Sequence, residues 1–400
     1  MLSTLALKYC HQILFDPKNL IRKEFKFKKL PIIVRMLIIQ LMDPAERFAL
    51  SLTSKRMKTD VKLIKKQKYY PQINFKRDRF SRPFILLTLS GEPDFEVCCN
   101  SLGYKRRGGG YHWLQYNKGA LIGNTDLAIS KLSHILKLCG VGIQFTKVTP
   151  SLILLEKLFS NDTFKSSWDK ITLYGIDFNS EIVNFFLNMA DLRKEFQIFN
   201  SDMPLDFKHE NVFKFRTNDY DDARWVTLSD MLNIRGVENV TLGKTKLTSD
   251  EVRHFIDSWI NCPDDMFLWM KIGAMEIVQL EGLFNELVVL EHGINPSNIF
   301  TLAKSTSRAY KLLLIQHSLG AVGLSAWKPY DNAARSGNIQ EKYKNVYEIM
   351  ELLEKEKTLE KEFEETTDAT KQREYRDQIQ KLERKIHELG VVYRDGRATI

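Results

Sequence analysis

Leu30-Pro31-Ile32-Ile33-Val34-Arg35-Met36-Leu37-Ile38-Ile39-Gln40-Leu41-Met42-Asp43-Pro44 runs directly into Ala45-Glu46-Arg47-Phe48-Ala49-Leu50-Ser51-Leu52-Thr53-Ser54-Lys55-Arg56-Met57. Pro31 fits the first turn of a helix, where its missing N–H costs nothing, and Asp43-Pro44 stops one helix and starts the next. Three short helices are therefore expected between about residues 30 and 68. In a helix over 31–42, Val34, Leu37, Ile38, Leu41 and Met42 share one broad side, while Ile32, Ile33, Met36 and Ile39 fall on the others. Three short helices cannot bury that much apolar surface, so a partner protein is expected to cover the excess.

The order of these residues resembles the F-box, the adaptor-binding module of cullin-based ubiquitin ligases. That pattern opens Leu-Pro, places an Ile seven residues after the Pro and a Leu four further on, and runs through a Pro-led helix to a Val-Cys-Lys-Arg-Trp-like ending. Here the positions are Leu30-Pro31, Ile38, Met42, Pro44 and Thr53-Ser54-Lys55-Arg56-Met57. Ser54 stands where Cys is common and Met57 where Trp is common. The resemblance implies a Skp-family adaptor and a cullin scaffold as partners. It implies Leu30, Pro31, Val34, Ile38, Met42, Pro44, Phe48, Ser54 and Met57 as the adaptor-binding residues.

The chain is basic around this stretch. Between Lys18 and Arg82 there are 19 Lys or Arg against 5 Asp or Glu, a surplus of 14 in a chain of net charge +9, which leaves −5 for the rest. Such a patch can hold nucleic acid by counterion release. Lys55, Arg56, Lys58, Lys62, Lys65, Lys66 and Lys68 lie along one expected helix and its end, with no aromatic residue before Tyr69-Tyr70. That pattern favours a solvated helix face or an acidic protein partner over nucleic acid.

Residues 1–24 read as a helical lead, residues 25–70 as the three-helix module and residues 71–83 as a basic, irregular linker punctuated by Tyr70-Pro71 and Arg82-Pro83. A second domain is expected over 84–300. Residues 84–90, 95–99 and 111–116 are short strand-like runs forming an antiparallel opening. Gly108-Gly109-Gly110 after Lys105-Arg106-Arg107 reads as a hairpin turn, because no phosphate-loop spacing and no following helix accompany it. A helix over 126–139 ending at Gly140 and a strand over 141–148 come next.

An internal repeat then appears. Residues 171–186 align without gaps on residues 240–255, each copy giving a strand, a loop, a Ser180 or Ser249 N-cap and a helix whose Val183 and Phe186, or Val252 and Phe255, face a sheet. Residues 194–199 and 266–271 look like the following strands. This construction is an irregular leucine-rich-repeat-like α/β array. Residues 240–260, with Leu247-Thr248-Ser249-Asp250, Phe255 and Trp259-Ile260, and the later Glu281-Gly282-Leu283, resemble the type 2 F-box-associated domain of the roundworm-expanded F-box family. That resemblance implies a domain binding an unknown protein substrate.

Residues 301–340 read as loops around one helix over 298–317. Residues 341–390 form a charged helical tail. Ile379, Leu382, Ile386 and Leu389 follow heptad spacing, and the polar gap 364–370 leaves a helical hairpin competing with a dimeric coiled coil, so oligomerisation through 341–390 stays open. The expected fold class is thus α+β/α/β multidomain: a small three-helix F-box, an irregular leucine-rich-repeat-like α/β domain and a C-terminal charged helical tail.

No metal spacing, nucleophile elbow or phosphate loop is visible, and the eight His are scattered. Glu276 with Glu281, His254 and Trp259 read as surface or packing residues, so no catalytic residue, cofactor or metal is expected. Arg35 and Gln40 interrupt the longest apolar run, which argues against a membrane span. The start of the chain lacks the pattern of a signal peptide. Five cysteines without a CxxC pair read as free thiols of a reducing compartment, cytoplasmic and/or nuclear. The function expected is a non-catalytic substrate-recognition subunit of an SCF-type ubiquitin ligase; the alternative is a basic nucleic-acid-associated or coiled-coil scaffold protein.

Overall fold

The computed structural model describes residues 27–64, 68–77, 83–90, 95–100, 103–105, 121–133, 135–274, 287–292, 298–318, 320–329, 333–334, 337–338, 345–394 and 396–400. The expected lead over 1–24, the Gly108-Gly109-Gly110 turn, the run 111–116, and Glu276 and Glu281 with the Gly282-Leu283 that follows lie outside them. The chain divides into two compact units, Met1–Gln67 with Lys131–Lys137, and Lys68–Ser130 with Leu138–Ile400.

In the first unit a 3-10 turn, Phe27–Lys29, leads into α1 (Ile32–Leu41), α2 (Pro44–Thr53) and α3 (Lys55–Leu63). Local chemistry fixes each boundary. The Asp43 side chain accepts from the Glu46 N–H at 2.7 Å while Glu46 accepts from the Asp43 N–H at 2.9 Å, a complete capping box with Pro44 at the first helical position. Arg47 donates from Nε to the Ile39 carbonyl at 3.0 Å and from Nη2 to the Gln40 carbonyl at 2.9 Å, closing the carbonyl end of α1 with a cation. Ser54, in extended conformation, accepts from the Met57 N–H and caps α3. Among the described side chains of these helices and their ends, Ile39, Phe48, Met57, Val61 and Ile64 are the buried apolar ones.

The second unit opens with β1 (Lys68–Arg77), β2 (Pro83–Ser90), β3 (Phe95–Asn100) and β4 (Gly103–Lys105), each antiparallel to the next. The expected linker over 71–83 is therefore corrected: Pro71 is accommodated inside a strand, and Ile73 and Phe75 are buried with their neighbours in the sheet. Next come α4 (Leu121–Ser133), which ends well before Gly140, β5 (Lys137–Leu138) and β6 (Val141–Thr146). Gly140 instead supplies a left-handed residue, φ +60°, immediately before β6.

Then follow α5 (Leu152–Phe159), α6 (Asp162–Ser167), β7 (Trp168–Tyr174), α7 (Ser180–Leu187), β8 (Glu195–Phe199), β9 (Thr217–Asp222), α8 (Leu228–Leu232), β10 (Val237–Thr245), α9 (Ser249–Asn261) and β11 (Phe267–Ala274). β1 and β6 to β11 pair in parallel, a continuous seven-strand run. The caps of α7 and α9 sit one residue before the serines expected. Asn179 accepts from the Ile182 N–H, and Thr248 forms a capping box with Glu251, leaving Ser180 and Ser249 as first helical residues. Val183, Phe186, Val252 and Phe255 are buried as the helical spacing requires.

Beyond β11 lie β12 (Leu290–His292), β13 (Asn298–Leu302), β14 (Leu312–Ser318), β15 (Ala321–Trp327) and a small hairpin of β16 (Ala333–Ala334) and β17 (Gly337–Asn338). The helix expected over 298–317 is absent. Its place is taken by β13 and β14, antiparallel to one another, with Ile299, Leu313 and Ile315 buried. β15 joins β11 in antiparallel fashion and carries β14, β13 and β12 outward from it.

The chain ends with α10 (Val346–Glu365), α11 (Ala369–Glu388), β18 (Val392–Arg394) and β19 (Arg397–Thr399), the last parallel to β12. The first half of α10 is core rather than exposed tail: Val346, Ile349, Met350 and Leu353 pack with Leu290, Phe300, Leu312 and Leu314. Ile386 is buried in the same cluster, and Leu382 and Leu389 pack against it. The heptad positions of α11 thus meet α10 within the chain, as a hairpin.

Candidate functional site

On α1 the uncovered residues form one arc. Ile33, Leu37 and Leu41 recur every four residues and are 71%, 56% and 58% exposed, with Val34 at 39% beside them. Ile32, in the first turn, is exposed too. The opposite side of the helix carries Ile39 and Arg35, both buried. Solvent-facing leucines and isoleucines at this density on one short helix mark a protein-binding surface.

The adaptor-binding residues expected from sequence separate into groups. Pro31 and Val34 are exposed, while Leu30, Ile38 and Met42 are half-buried at the border of the arc. Phe48 and Met57 are 1% exposed, so in this structure both are core residues of the helical unit. Ser54 caps α3, and Pro44 starts α2. Leu37 and Leu41 are more exposed than Val34, Leu30, Ile38 and Met42; their i, i+4 relation to Ile33 is the signal that identifies them.

Beneath the arc lies a pair that sequence reasoning did not single out. Arg35 donates from Nε to the Asp60 carboxylate at 2.8 Å and from Nη1 to the Leu30 carbonyl at 2.7 Å. The two side chains are 4% and 6% exposed. The pair links α1 to α3 and ties down the chain entering α1. The basic residues of α3, in contrast, are outside: Lys55, Arg56 and Lys62 are exposed.

In the second unit the parallel sheet has two chemically different faces. Ile73, Ile143, Ile171, Phe196, Asn218, Val240, Met270 and Leu324 stand in register across eight strands, from β1 through β6–β11 to β15, and all are at most 1% exposed. Asn218, the one polar member, satisfies itself locally by donating to the Phe215 carbonyl at 2.8 Å. Phe186 of α7 lies 6.1 Å from both Phe145 and Phe196, which puts the helix against this apolar side.

One residue further along every strand the register row reads Asn74, Gln144, Thr172, Gln197, Asp219, Thr241 and Lys271. One residue before the apolar row it reads Gln72, Gly142, Lys170, Glu195, Thr217, Asn239 and Trp269. Most of these side chains are half-buried or exposed. Several are joined: Gln72 Nε2 donates to Gln144 Oε1 at 2.6 Å, and Asn239 Nδ2 to Thr217 Oγ1 at 3.3 Å. Arg216, at the start of this face, bonds Glu195 at 2.8 Å and lies 3.5 Å from Asp169.

Asp219 occupies the middle of the row. Burial pushes its carboxyl up to about 6, opposed by the positive charges of Lys170 and Lys271 and reinforced by Asp221. Among the described residues its carboxylate makes no hydrogen bond and no ion pair. The strand bearing it, Thr217-Asn218-Asp219-Tyr220-Asp221-Asp222, has almost no apolar alternation, which is why sequence periodicity passes over it. Among the described residues no group of three or more His, Cys, Asp or Glu could hold a metal ion, and no helix is long and apolar enough to cross a membrane.

The family model of the F-box domain matches residues 27–59, the 3-10 turn, α1, α2 and the first half of α3. Neither the curated proteins nor the solved structures give a match. The chain therefore carries an F-box domain followed by a mixed α/β unit with a large sheet. An F-box domain points to an adaptor-binding subunit of an SCF-type ligase.

Proposed function

We propose that this protein is the substrate-recognition subunit of an SCF-type ubiquitin ligase, binding a Skp-family adaptor, and through it a cullin, with the α1 arc, and holding a protein substrate on its α/β unit. The observation that carries the reading is the uncovered apolar arc Ile33, Val34, Leu37 and Leu41 on the matched domain. Each such side chain contributes about 1.5–3 kcal/mol when fully desolvated, so three or four anchor a micromolar or tighter contact inside a standard interface of roughly 1,600 Å². Leu30, Pro31, Ile38 and Met42 border the arc and complete the contact.

The α/β unit is read as a type 2 F-box-associated domain, an irregular leucine-rich-repeat-like array in which strand, loop and helix recur between β7 and β10. The subunit transfers no group itself; it raises the concentration of substrate lysines beside the ligase's catalytic partners. That role belongs to the cytoplasm or the nucleus. The test is calorimetric titration of the purified chain with a purified Skp-family adaptor. Wild type is expected to bind, and Leu37→Asp with Leu41→Asp to weaken binding at least about 100-fold, the loss of two buried leucines, with an unchanged melting temperature. Ile38→Asp with Met42→Asp should act in the same direction. A wild-type chain that shows no heat of binding ends the assignment. Salt-sensitive binding to duplex DNA that survives the Leu37 and Leu41 substitutions favours the nucleic-acid scaffold instead.

A further inference from the structure

The polar face of the parallel sheet holds several charged groups, and among the described residues Glu195 and Asp221 are answered where Asp219 is not. Glu195 has Arg216 and Lys170, and Asp221 accepts from the Asn200 N–H at 3.2 Å. Asp219 is half-buried between Gln197 and Thr241 with no such partner among the described residues. Lys271 is exposed and solvated, and Lys170 is engaged by Glu195 at 3.9 Å. The charge this face lacks is a cation at its centre.

We propose that this face is a docking surface for an extended segment of a partner protein that carries a lysine or arginine, whose cation pairs with the Asp219 carboxylate while Gln144, Gln197 and Thr241 offer hydrogen bonds to its backbone. The proposal deepens the reading of the α/β unit as the substrate-holding half of a ligase receptor, and rests on it for the identity of the partner. A half-buried carboxylate without a partner is costly, and a bound cation recovers that cost as a charge-assisted hydrogen bond. The dimensions fit. From Gln144 on β6 to Lys271 on β11 there are five inter-strand steps, roughly 24 Å, the length of about seven extended residues crossing the strands. The side chains along that path are amide, hydroxyl, carboxylate and ammonium groups, which suit an extended backbone with polar side chains better than an apolar helix. The raised proton affinity of Asp219 fits the same geometry, since a cation seated there would draw the carboxyl back toward its ordinary range.

The experiment uses the full chain. Randomised seven-residue peptides displayed on phage are panned against it, and an enriched peptide is then titrated by fluorescence anisotropy. Enrichment of Lys or Arg at one position is expected. Asp219→Asn should weaken the enriched peptide about tenfold or more, the scale of losing one charge-assisted bond, while Asp202→Asn, at a side chain 94% exposed, leaves it within twofold. A peptide with norleucine in place of its basic residue should bind wild type and Asp219→Asn equally. Enrichment without a basic residue, no enrichment at all, or an Asp219→Asn protein that binds as wild type does would each overturn the proposal. Adaptor titration of the same preparations separates the two readings. Adaptor binding without peptide binding removes the docking surface alone, and peptide binding without adaptor binding removes the ligase role alone.

Discussion

In the helical unit Leu37 and Leu41 stand in solvent while Arg35 and Asp60 are buried; in the sheet unit Ile171, Phe196 and Val240 are buried while Lys170, Glu195 and Asp219 look outward. The second arrangement is what the hydrophobic effect asks of a self-sufficient domain. The first inverts it. Three helices of nine or ten residues have too little volume to cover their apolar side chains, and the surplus is placed together on one arc of one helix rather than scattered. The interior then relies on a charged pair where a larger domain would use packing. The difference teaches that exposed leucine and buried arginine, read together, mark a unit designed to be completed by another protein.

The inversion is most severely tested at the buried pair. Asp60→Ala leaves the Arg35 guanidinium without its carboxylate partner, and is expected to destabilise the helical unit by about 3–5 kcal/mol, the usual cost of stranding one member of a buried pair. Leu37→Ser, on the exposed arc, should change stability by about 0.5 kcal/mol or less. Urea unfolding followed by circular dichroism reads both. Comparable losses from the two substitutions would mean that the arc is part of a core, and the contrast with the sheet unit would collapse.

A second, smaller effect probes how tightly the sheet unit is closed. Gly243 and Gly273 lie on neighbouring strands where the backbones crowd: a Cβ on Gly273 would run into the Gly243 carbonyl, and one on Gly243 into that of Asp221. Gly273→Ala is expected to cost about 1–3 kcal/mol through forced separation of β10 and β11, lowering the melting temperature by several degrees. A melting temperature unchanged by Gly273→Ala would show a looser sheet than the register implies.

What could be read from sequence divides along the same line. Helix boundaries in the first unit are written in local chemistry, in Asp43-Pro44 with Glu46 and in Ser54, because capping needs only neighbours in sequence. The copies 171–186 and 240–255 are equally legible, since each combines a strand and a capped helix in one short span. The strand at 68–77 was hidden by Pro71 and a basic composition, and the strand at 217–222 by a run of polar residues, because their burial is conferred by adjacent parallel strands far away in sequence. Residues 298–317 have apolar runs whose period does not separate helix from strand, and pairing decided the matter. The Arg35–Asp60 pair spans 25 residues, and nothing local announces it. The F-box resemblance grouped Phe48 and Met57 with the residues expected at a partner, and the structure buries both in the helical unit, a placement set by tertiary packing rather than by local pattern.

Asp219 supplies the finest test of the comparison, since a face kept for a ligand should be less stable than chemistry allows. Its carboxyl has an ordinary value of 3.8 and is pushed up to about 6 in the folded chain, chiefly by burial. Between those values the folded protein holds a proton that the unfolded chain has released, so stability falls as pH rises through roughly 4 to 6 and stays reduced above it. Asp219→Asn removes the titration. The variant should therefore match wild type near pH 4 and exceed it at pH 7 by about 1 kcal/mol, a figure discounted from the full shift because the side chain is only half-buried. Thermal unfolding of both proteins at pH 4, 5, 6 and 7 measures the gap. A gap that widens with pH means that the carboxylate is held against the interest of the fold, as a site for a cation would be. A wild type that is the more stable protein at pH 7 means that Lys170 and Lys271 already satisfy Asp219, and the polar face then needs no partner to explain it.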